Sequence, residues 1–302
     1  MSTSYHVAVI GLGAMGMGAA RSCLRAGLTT YGIDLSEQAR SQLQQAGAAA
    51  VMADARPLAE TLDAVLLLVV NATQVRRILL GEEGLARHLK PGTAIMVSST
   101  IAAEEASSLA AELAQLGLPM LDAPVSGGAI KADAGEMTVM AAGADAAFDK
   151  LAPVLDAVAG KLYRVGSEPG QGSTVKIIHQ LLAGVHIAVA AEAMALASRA
   201  GVPLDLMYDV VTHAAGNSWM FENRMPRVLT GDYQARSAVD IFVKDLTLVA
   251  DTAKALRFPL PLASTALNMF LSASNAGHGQ EDDSAVIKTF SGITLPGQEE
   301  QP

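Results

Sequence analysis

The chain has 302 residues, of which 51% are hydrophobic and 17% are charged, and its formal net charge at pH 7 is -9. This length predicts two domains, and the apolar content excludes an intrinsically disordered chain. The acidic balance, without a cluster of Lys and Arg, predicts that nucleic acid is not a partner.

The N-terminal segment and the cysteine content indicate a cytoplasmic protein. The first twenty residues carry no charge beyond that of His6, but glycines interrupt their apolar run, which argues against an export signal. The longest uncharged apolar stretch, 177–191, is shorter than the roughly 18 residues of a membrane span, so no membrane association is expected. The lone Cys23 is interpreted as a buried structural thiol.

A glycine-rich turn follows the first predicted strand. The segment "YHVAVI" (5–10) is typical of a buried strand, and "MGAARSCLRAGL" (17–28) has helical spacing. Between them, Gly11, Gly13 and Gly16 match G-x-G-x-x-G, in which the glycines allow a tight turn, close approach of a pyrophosphate and close helix packing. The predicted dinucleotide-binding turn consists of Gly11, Leu12, Gly13, Ala14, Met15 and Gly16.

An acidic residue ends the second predicted strand. The segment "TTYGID" (29–34) places Asp34 eighteen residues after Gly16, where a carboxylate accepts hydrogen bonds from an adenosine ribose. A carboxylate repels a 2'-phosphate, and no arginine follows before Arg40, so NAD is preferred over NADP as the cofactor. The alternative is that Asp34 is simply an exposed residue at a strand end.

Two further apolar segments continue the alternation of strands and helices. The segments "AVLLLVVN" (64–71) and "AIMVSST" (94–100) predict strands of a parallel sheet, with helices at 74–89 and 102–116. Ligands bind at the carboxyl ends of such strands, so Asn71 and Thr100 are predicted to face the cofactor. Thr100 could instead cap the helix that starts at 102.

The segment "MLDAPVSGGAIKADAGEMTVMAAG" (120–143) predicts a strand, a glycine-rich loop and another strand. Ser126, Gly127 and Gly128 would expose backbone N–H groups and a hydroxyl, which suit the carboxylate of a small substrate. The alternative is an ordinary turn. Residues 137–142 and 162–165 are predicted to form the last strands of the sheet.

The character of the chain changes near residue 166. Gly, Ser and Pro there indicate a hinge, which a long helix at 173–200 follows before Gly201 and Pro203 end it. Helices are then predicted at 204–214, 218–229, 236–256, 260–276 and 281–290. The predicted domains are therefore a cofactor-binding α/β domain at 1–166, with a mostly parallel sheet, and an all-α domain at 167–302, joined by the long helix.

Lys176 lies near the start of the long helix, between apolar residues. A cation is electrostatically disfavoured at a helix N-terminus, which suggests a functional reason for this lysine. His179 and Gln180 follow at three and four residues and share its helix face. The alternative is a solvated surface lysine.

Four segments in order resemble the β-hydroxyacid dehydrogenase family, which includes 3-hydroxyisobutyrate dehydrogenase and tartronate semialdehyde reductase. They are "GLGAMGMGAA" with Asp34, "DAPVSGG" (122–128), "GQGSTVK" (170–176) and "VKDL" (243–246). The resemblance implies a Rossmann domain followed by a helical domain, and Lys176 as the catalytic acid or base. It also implies Ser126, Gly127 and Gly128 as the substrate-carboxylate loop, Thr100 as a cofactor contact, and Lys244 near the nicotinamide with Asp245 behind it.

One position departs from the family pattern, because His179 stands where the family usually has asparagine. Together with "HAAGNSWMFENRMP" (213–226), it resembles the branch of the family that acts on four-carbon sugar acids such as L-threonate. Polar side chains, Asn217 among them, could pair with the extra substrate hydroxyls. The expected substrate-binding residues are Ser126, Gly127, Gly128, His179, Gln180 and Asn217.

The expected reaction is NAD-dependent oxidation of a small hydroxy acid at its secondary alcohol, without a metal ion. Alternatives are reduction of tartronate or succinic semialdehyde, oxidation of 3-hydroxyisobutyrate, and a dinucleotide-binding module without catalysis, which the retention of Lys176 disfavours. The long apolar helices suggest a homodimer or homotetramer.

Overall fold

The computed structural model of the chain describes residues 4–296. Its contacts divide the chain into two compact units, with the division between Lys176 and Ile177. Each unit is described by itself. The predicted domain boundary at 166 stays a prediction.

A nine-stranded sheet forms the centre of the first unit. Six strands pair in parallel in the order β3-β2-β1-β4-β5-β6, the order of a Rossmann sheet. Strand β8 runs antiparallel to β6 and β7, and β9 runs parallel to β8. The strands are β1 (His6–Ile10), β2 (Thr29–Ile33), β3 (Ala50–Met52), β4 (Ala64–Leu67), β5 (Ala94–Val97), β6 (Met120–Asp122), β7 (Val125–Ser126), β8 (Met137–Ala142) and β9 (Ala159–Gly166).

Helices cover both faces of this sheet. Successive residues of β1 belong to two separate apolar clusters, Val7 and Val9 to one and Ala8 and Ile10 to the other, because side chains alternate across a strand. Burial on both faces explains why the parallel strands are continuous apolar runs. The helices are α1 (Ala14–Arg25), α2 (Glu37–Gln45), α3 (Ala72–Leu80), α4 (Ala103–Gln115), α5 (Gly128–Ala134) and α6 (Asp145–Val158).

Several predicted elements of this unit differ in extent from those observed. Helix α3 ends at Leu80, before Gly81, and only a short 3₁₀ turn occupies the later part of the predicted helix 74–89. The glycine-rich loop after β7 contains the unpredicted helix α5. The N-cap of α4 is Ala102, so the alternative role of Thr100 as a helix cap is wrong.

The second unit is helical, as predicted. The long helix α7 (Gln171–Arg199) begins in the first unit and continues into the second, where α8 (Leu204–Thr212), α9 (Trp219–Thr230), α10 (Val239–Ala255) and α11 (Pro261–Ala273) follow. The stacked rings of Phe242 and Phe270, with centroids 5.2 Å apart, join α10 to α11 in its core. A 3₁₀ helix at Asp283–Thr289 replaces the predicted α-helix at 281–290.

Helix α7 is long and apolar enough to cross a membrane by length and composition alone. Half of its most apolar window is buried inside the protein, and core helices of water-soluble proteins pass the same test. The apolar character of α7 is therefore weak evidence for a membrane span.

Two buried ion pairs join α9 to the neighbouring residues Asp282 and Asp283. Arg224 Nε lies 2.6 Å from Asp283 Oδ1, and Arg227 pairs with Asp282. Both carboxylates are fully buried, and burial raises the pKa of Asp283 while it lowers the pKa of Arg227.

Candidate functional site

Each of the three glycines of the first turn, Gly11, Gly13 and Gly16, is explained by a different feature of the structure. Gly11 has a φ of +91°, and a Cβ at Gly16 would lie 1.7 Å from the Gly11 carbonyl oxygen, so both are needed for the turn itself. A Cβ at Gly13 would meet no heavy atom within 4 Å. Gly13 is also the N-cap of α1 without a side-chain hydrogen bond, which leaves helix N–H groups for an anion. The turn therefore fits the pyrophosphate of a dinucleotide.

Asp34 connects this turn to the end of β2. Its Oδ2 accepts a hydrogen bond from the backbone N–H of Leu12 at 2.6 Å, and its Oδ1 accepts one from Ser36 at 2.7 Å. Each carboxylate oxygen has a second lone pair, so both can still accept from ribose hydroxyls. Arg40 donates to the backbone carbonyls of Asp34 and Leu35, which holds its guanidinium against the loop. This arrangement fits the adenosine ribose of NAD.

Asn71 and Thr100 follow β4 and β5 at the carboxyl edge of the parallel sheet. The Asn71 side chain caps α3, since its Oδ1 accepts from the Gln74 N–H at 2.9 Å. The expected contact of Asn71 with the cofactor would have to coexist with this cap.

The predicted carboxylate loop lies where β7 gives way to α5. Gly127 and Gly128 have φ values of +133° and +69°, which L side chains rarely adopt, and Ser126 precedes them at the end of β7. A Cβ at Gly127 would lie 2.7 Å from the Lys131 Cβ. The glycines are thus required by the backbone, and the loop presents main-chain groups with little steric cover.

A buried aspartate fixes the start of α7, and with it the position of Lys176. Asp122 Oδ2 accepts hydrogen bonds from the N–H groups of Gly170 and Ser173, each at 2.8 Å, and Oδ1 accepts from the Ser173 hydroxyl at 2.7 Å. A Cβ at Gly172 would lie 2.4 Å from the Asp122 carbonyl oxygen, so α7 begins in direct contact with the end of β6. The carboxylate occupies the helix N-terminus, where the macrodipole favours an anion. We call this arrangement the Asp122 tie.

Lys176 follows the Asp122 tie by less than one helical turn and is only 6% exposed. The alternative of a solvated surface lysine is therefore wrong. Lysine side chains are seldom buried, so its burial marks Lys176 as a candidate functional residue.

Three of the predicted residues of the second unit, His179, Gln180 and Lys244, are connected through polar contacts with Asp245. His179 Nδ1 lies 2.9 Å from Gln180 Oε1, and Gln180 Nε2 donates to Asp245 Oδ2 at 2.5 Å. Lys244 Nζ lies 2.8 Å from Asp245 Oδ1. Asp245 and Gln180 are buried, so these contacts are fixed in place.

Asn217, the remaining predicted residue, lies between α8 and α9. Its Nδ2 donates to Glu222 Oε2 at 3.5 Å, a long contact on the first turn of α9. Its described hydrogen bond does not connect it to His179 or Gln180.

Sequence reasoning missed Asp122 and Ser173 as parts of the site. Both lie inside segments that the family resemblance singled out, "DAPVSGG" and "GQGSTVK". The signal was present in those segments, but spacing along the chain does not show that residues 51 positions apart share a hydrogen bond.

Comparisons with known proteins cover almost the whole chain. Residues 6–166 match the family model of the NAD-binding domain of 6-phosphogluconate dehydrogenase, and residues 170–290 match that of the NAD-binding domain of NADP-dependent 3-hydroxyisobutyrate dehydrogenase.

Individual relatives are similar over nearly the whole chain. L-threonate dehydrogenase of Escherichia coli O6:H1 is 72% identical over 295 residues, which are 98% of each chain. 2-(Hydroxymethyl)glutarate dehydrogenase of Eubacterium barkeri is 34% identical over 97% of each chain. The crystal structure of a 3-hydroxyisobutyrate dehydrogenase from Salmonella typhimurium is 70% identical with a TM-score of 0.92, and the match covers 95% of this chain and 100% of that one. Together with the glycine turn and Asp34, these matches show that the chain belongs to the 3-hydroxyisobutyrate dehydrogenase-related family of NAD-dependent β-hydroxyacid dehydrogenases.

Proposed function

We propose that this protein oxidises L-threonate at C2 to 2-oxo-tetronate with NAD as the hydride acceptor. The observation that carries the proposal is the near-full-length similarity to proteins named L-threonate dehydrogenase. The hydrogen-bonded chain at His179 supports it, because a polar side chain beside the lysine suits a substrate with several hydroxyl groups.

Lys176 is the proposed catalytic acid or base. During oxidation its neutral amine takes the proton of the C2 hydroxyl, the C–O single bond becomes a carbonyl, and the proton later leaves to solvent. NAD supplies the acceptor for the hydride that leaves C2. The Asp122 tie restricts the start of α7, which reduces the entropy lost when the amine and the hydroxyl are aligned.

The remaining site residues have proposed binding roles. Ser126, Gly127 and Gly128 hold the substrate carboxylate through main-chain N–H groups and the hydroxyl. The glycine turn and Asp34 hold the dinucleotide, and Asn71, Thr100 and Lys244 are further proposed cofactor contacts. Asn217 is a proposed substrate contact.

The lysine is tested by Lys176→Ala. We expect kcat to fall by about 10²–10⁴-fold, the usual contribution of a general acid or base, while NAD affinity is retained. Lys161→Ala, at an exposed lysine of β9, is the matched control and should leave kcat unchanged. Turnover by Lys176→Ala at the wild-type rate would contradict the proposed role.

The cofactor site is tested by a pair of glycine variants. Gly13→Ala should fold normally, since its Cβ meets only open space, and should lose most of its NAD affinity. Gly16→Ala should instead lose stability, because its Cβ would collide with the Gly11 carbonyl. Circular dichroism and fluorescence titration with NADH separate the two effects. Unchanged NADH affinity in Gly13→Ala would contradict the assigned turn.

The substrate is tested by comparing kcat/KM for L-threonate, 3-hydroxyisobutyrate and glycerate, each with NAD⁺ and NADP⁺. We expect L-threonate with NAD⁺ to give the highest value. The second candidate is 3-hydroxyisobutyrate, because a 70% identical protein of known structure bears that name. A higher kcat/KM for 3-hydroxyisobutyrate would replace L-threonate as the proposed substrate. Tartronate and succinic semialdehydes with NADH test the reductase alternative in the same assay.

We further propose that the protein is a cytoplasmic homo-oligomer. Apolar side chains are exposed along one stripe of α7, at Ile178, Leu182, Val189 and Leu196. Their spacing of four and seven residues is typical of a helix face that packs against another helix. A second copy of this chain would cover the stripe. Light scattering should give a multiple of 31.1 kDa for the wild type and a lower mass for Leu182→Glu.

A further inference from the structure

Lys131, on the short helix α5, has a side chain that runs back towards the glycine-rich loop before this helix. In a helix the Cα–Cβ bonds tilt towards the N-terminus, and residues four positions apart are neighbours on one face. Gly127 is the N-cap of α5 and stands four residues before Lys131. Helix geometry therefore directs the Lys131 side chain to Gly127.

The surroundings of Gly127 show how closely the lysine side chain follows the loop. A Cβ at Gly127 would lie 2.7 Å from Lys131 Cβ, 3.0 Å from Cδ and 3.3 Å from Cγ. Three successive methylene groups of Lys131 therefore pass over the side of Gly127 from which a side chain would project. The ammonium nitrogen Nζ follows Cδ by only two bonds, which keeps the positive charge beside the loop.

Gly127 makes this passage possible in two ways. Its φ of +133° lies in a region that L side chains rarely adopt, and it has no Cβ to block the path of the lysine methylene groups. The backbone of the loop and the side chain of Lys131 therefore form one packed arrangement.

The nearby acidic residue of α5 does not share this face of the helix. Asp133 is two residues from Lys131, a spacing at which helical side chains do not face each other. Asp133 Oδ1 instead lies 3.4 Å from Arg21 Nη1. Lys131 is exposed, and within the part of the chain that the structure describes no carboxylate forms an ion pair with it. Its charge can therefore act on an anion at the loop.

We propose that the Lys131 ammonium is a substrate-binding determinant, which attracts the substrate carboxylate to the loop of Ser126, Gly127 and Gly128. The inference rests on the proposed function, in which this loop holds the carboxylate. Main-chain N–H groups orient an anion but carry no net charge, and Lys131 adds the positive charge. Because the formal net charge of the protein is -9, a cation at the loop also counteracts the repulsion of an anionic substrate.

The attraction affects binding and not the chemical step. The carboxylate keeps its charge while C2 is oxidised, so the attraction is the same in the bound substrate and in the transition state. Such uniform binding lowers KM and leaves kcat unchanged. Since Lys131 is exposed, water and salt screen its charge, and the expected effect on KM is about two- to fivefold.

The charge is tested by Lys131→Met, whose unbranched side chain can follow the same path, and by Lys131→Arg, which keeps the charge. At saturating NAD⁺ and low ionic strength, the KM for L-threonate should rise about two- to fivefold in Lys131→Met, with wild-type kcat. Lys131→Arg should keep the wild-type KM. The matched control is Lys150→Met, at an exposed lysine of α6 beside Gly92, which precedes β5, and it should leave KM unchanged.

Ionic strength separates the charge of Lys131 from its packing. In about 1 M NaCl the Debye length is about 3 Å, so the KM values of the wild type and Lys131→Met should become equal. A wild-type KM in Lys131→Met at low ionic strength would overturn the proposal. Equal increases of KM in Lys131→Met and Lys131→Arg, or a difference that persists in 1 M NaCl, would assign the effect to packing and overturn it as well.

The outcomes separate this inference from the proposed function. If the wild type does not oxidise L-threonate, the proposed substrate fails, and the same variants are measured with 3-hydroxyisobutyrate or glycerate, which also carry a carboxylate. If L-threonate is oxidised and Lys131→Met keeps the wild-type KM, the role of Lys131 is overturned and the proposed function stands. If the wild type oxidises none of the three acids, both proposals fail.

Discussion

The two units each bury aspartates, but they compensate the buried charge in different ways. In the first unit, Asp122 is surrounded by neutral donors, the N–H groups of Gly170 and Ser173 and the Ser173 hydroxyl. In the second unit, Asp282 and Asp283 are each paired with an arginine of α9. All three carboxylates are fully buried.

The difference relates to what each carboxylate holds. Neutral donors of Gly170 and Ser173 let Asp122 fix the first turn of a helix that carries the proposed catalytic lysine. Arginine partners let Asp282 and Asp283 fix two segments that are distant in sequence, at the cost of burying four charges. Variants at Asp122 should therefore change both catalysis and stability, whereas variants at Asp282 and Asp283 should change mainly the free energy of unfolding.

The largest effect is expected from Arg224→Met, which leaves Asp283 buried without its partner. The free energy of unfolding should fall by about 3–5 kcal/mol, as measured by urea denaturation. The double variant Arg224→Met/Asp283→Leu removes both charges and should recover most of this loss. A double variant as unstable as the single one would show that packing, and not the unpaired charge, causes the loss.

A smaller effect on stability and a specific effect on catalysis are expected from Asp122→Asn. The new amide places a donor against backbone N–H groups, so the free energy of unfolding should fall by about 1–3 kcal/mol. The kcat should fall more than the KM rises, because α7 begins less firmly at the Asp122 tie. Ser173→Ala, which removes one hydroxyl donor, should show the same pattern with a smaller amplitude. Wild-type kcat in Asp122→Asn would remove the Asp122 tie from the mechanism.

The pH dependence of stability gives a finer test of the same residue. Burial raises the pKa of Asp122 in spite of its hydrogen bonds to Ser173, Gly170 and Gly172. Asp122 therefore binds its proton more tightly in the folded state than in the unfolded chain. The protonated side chain contributes its full stability below the pKa of the unfolded chain, and this contribution is lost as the pH rises through the pKa of the folded state.

The stability deficit of Asp122→Asn relative to the wild type should therefore shrink between about pH 4 and pH 7, by about 1.4 kcal/mol for each unit of raised pKa. Urea denaturation across this range measures it. A deficit that grows with pH would show that the donors outweigh burial.

The smallest change in the free energy of unfolding is expected at an ion pair on the protein surface. Arg21 Nη1 and Asp133 Oδ1 lie 3.4 Å apart, and the two side chains are 40% and 52% exposed. Arg21→Gln should change the free energy of unfolding by less than about 0.5 kcal/mol. A larger loss would mean that exposure alone does not explain the contrast between these ion pairs.

Local pattern was sufficient for the glycine turn, Asp34, the long helix and the helical character of the second unit. Each depends on residues that are neighbours along the chain, such as Gly11, Gly13 and Gly16. The end of α3 and the existence of α5 were not predicted. Gly81 ends α3 inside a segment predicted as one helix, and the glycine-rich segment after β7, predicted as a loop, continues into α5 at Gly128.

The hydrogen bonds of the site were harder still to foresee. Asp122 meets Ser173, and Gln180 meets Asp245, only because the fold brings separate segments together. Sequence reasoning singled out Lys176 as the candidate catalytic residue, and the structure adds that its side chain is buried. The predicted roles of the individual site residues stay predictions until the variants are measured.

The Asp122 tie has a consequence for protein engineering. The segments 122–128 and 170–176 behave as one physical part, although 41 residues separate them along the chain. A chimera that imports a new carboxylate loop from a relative, but keeps its own helix start, would combine two halves that were not selected together. Exchanges designed to alter substrate preference should therefore transplant both segments at once.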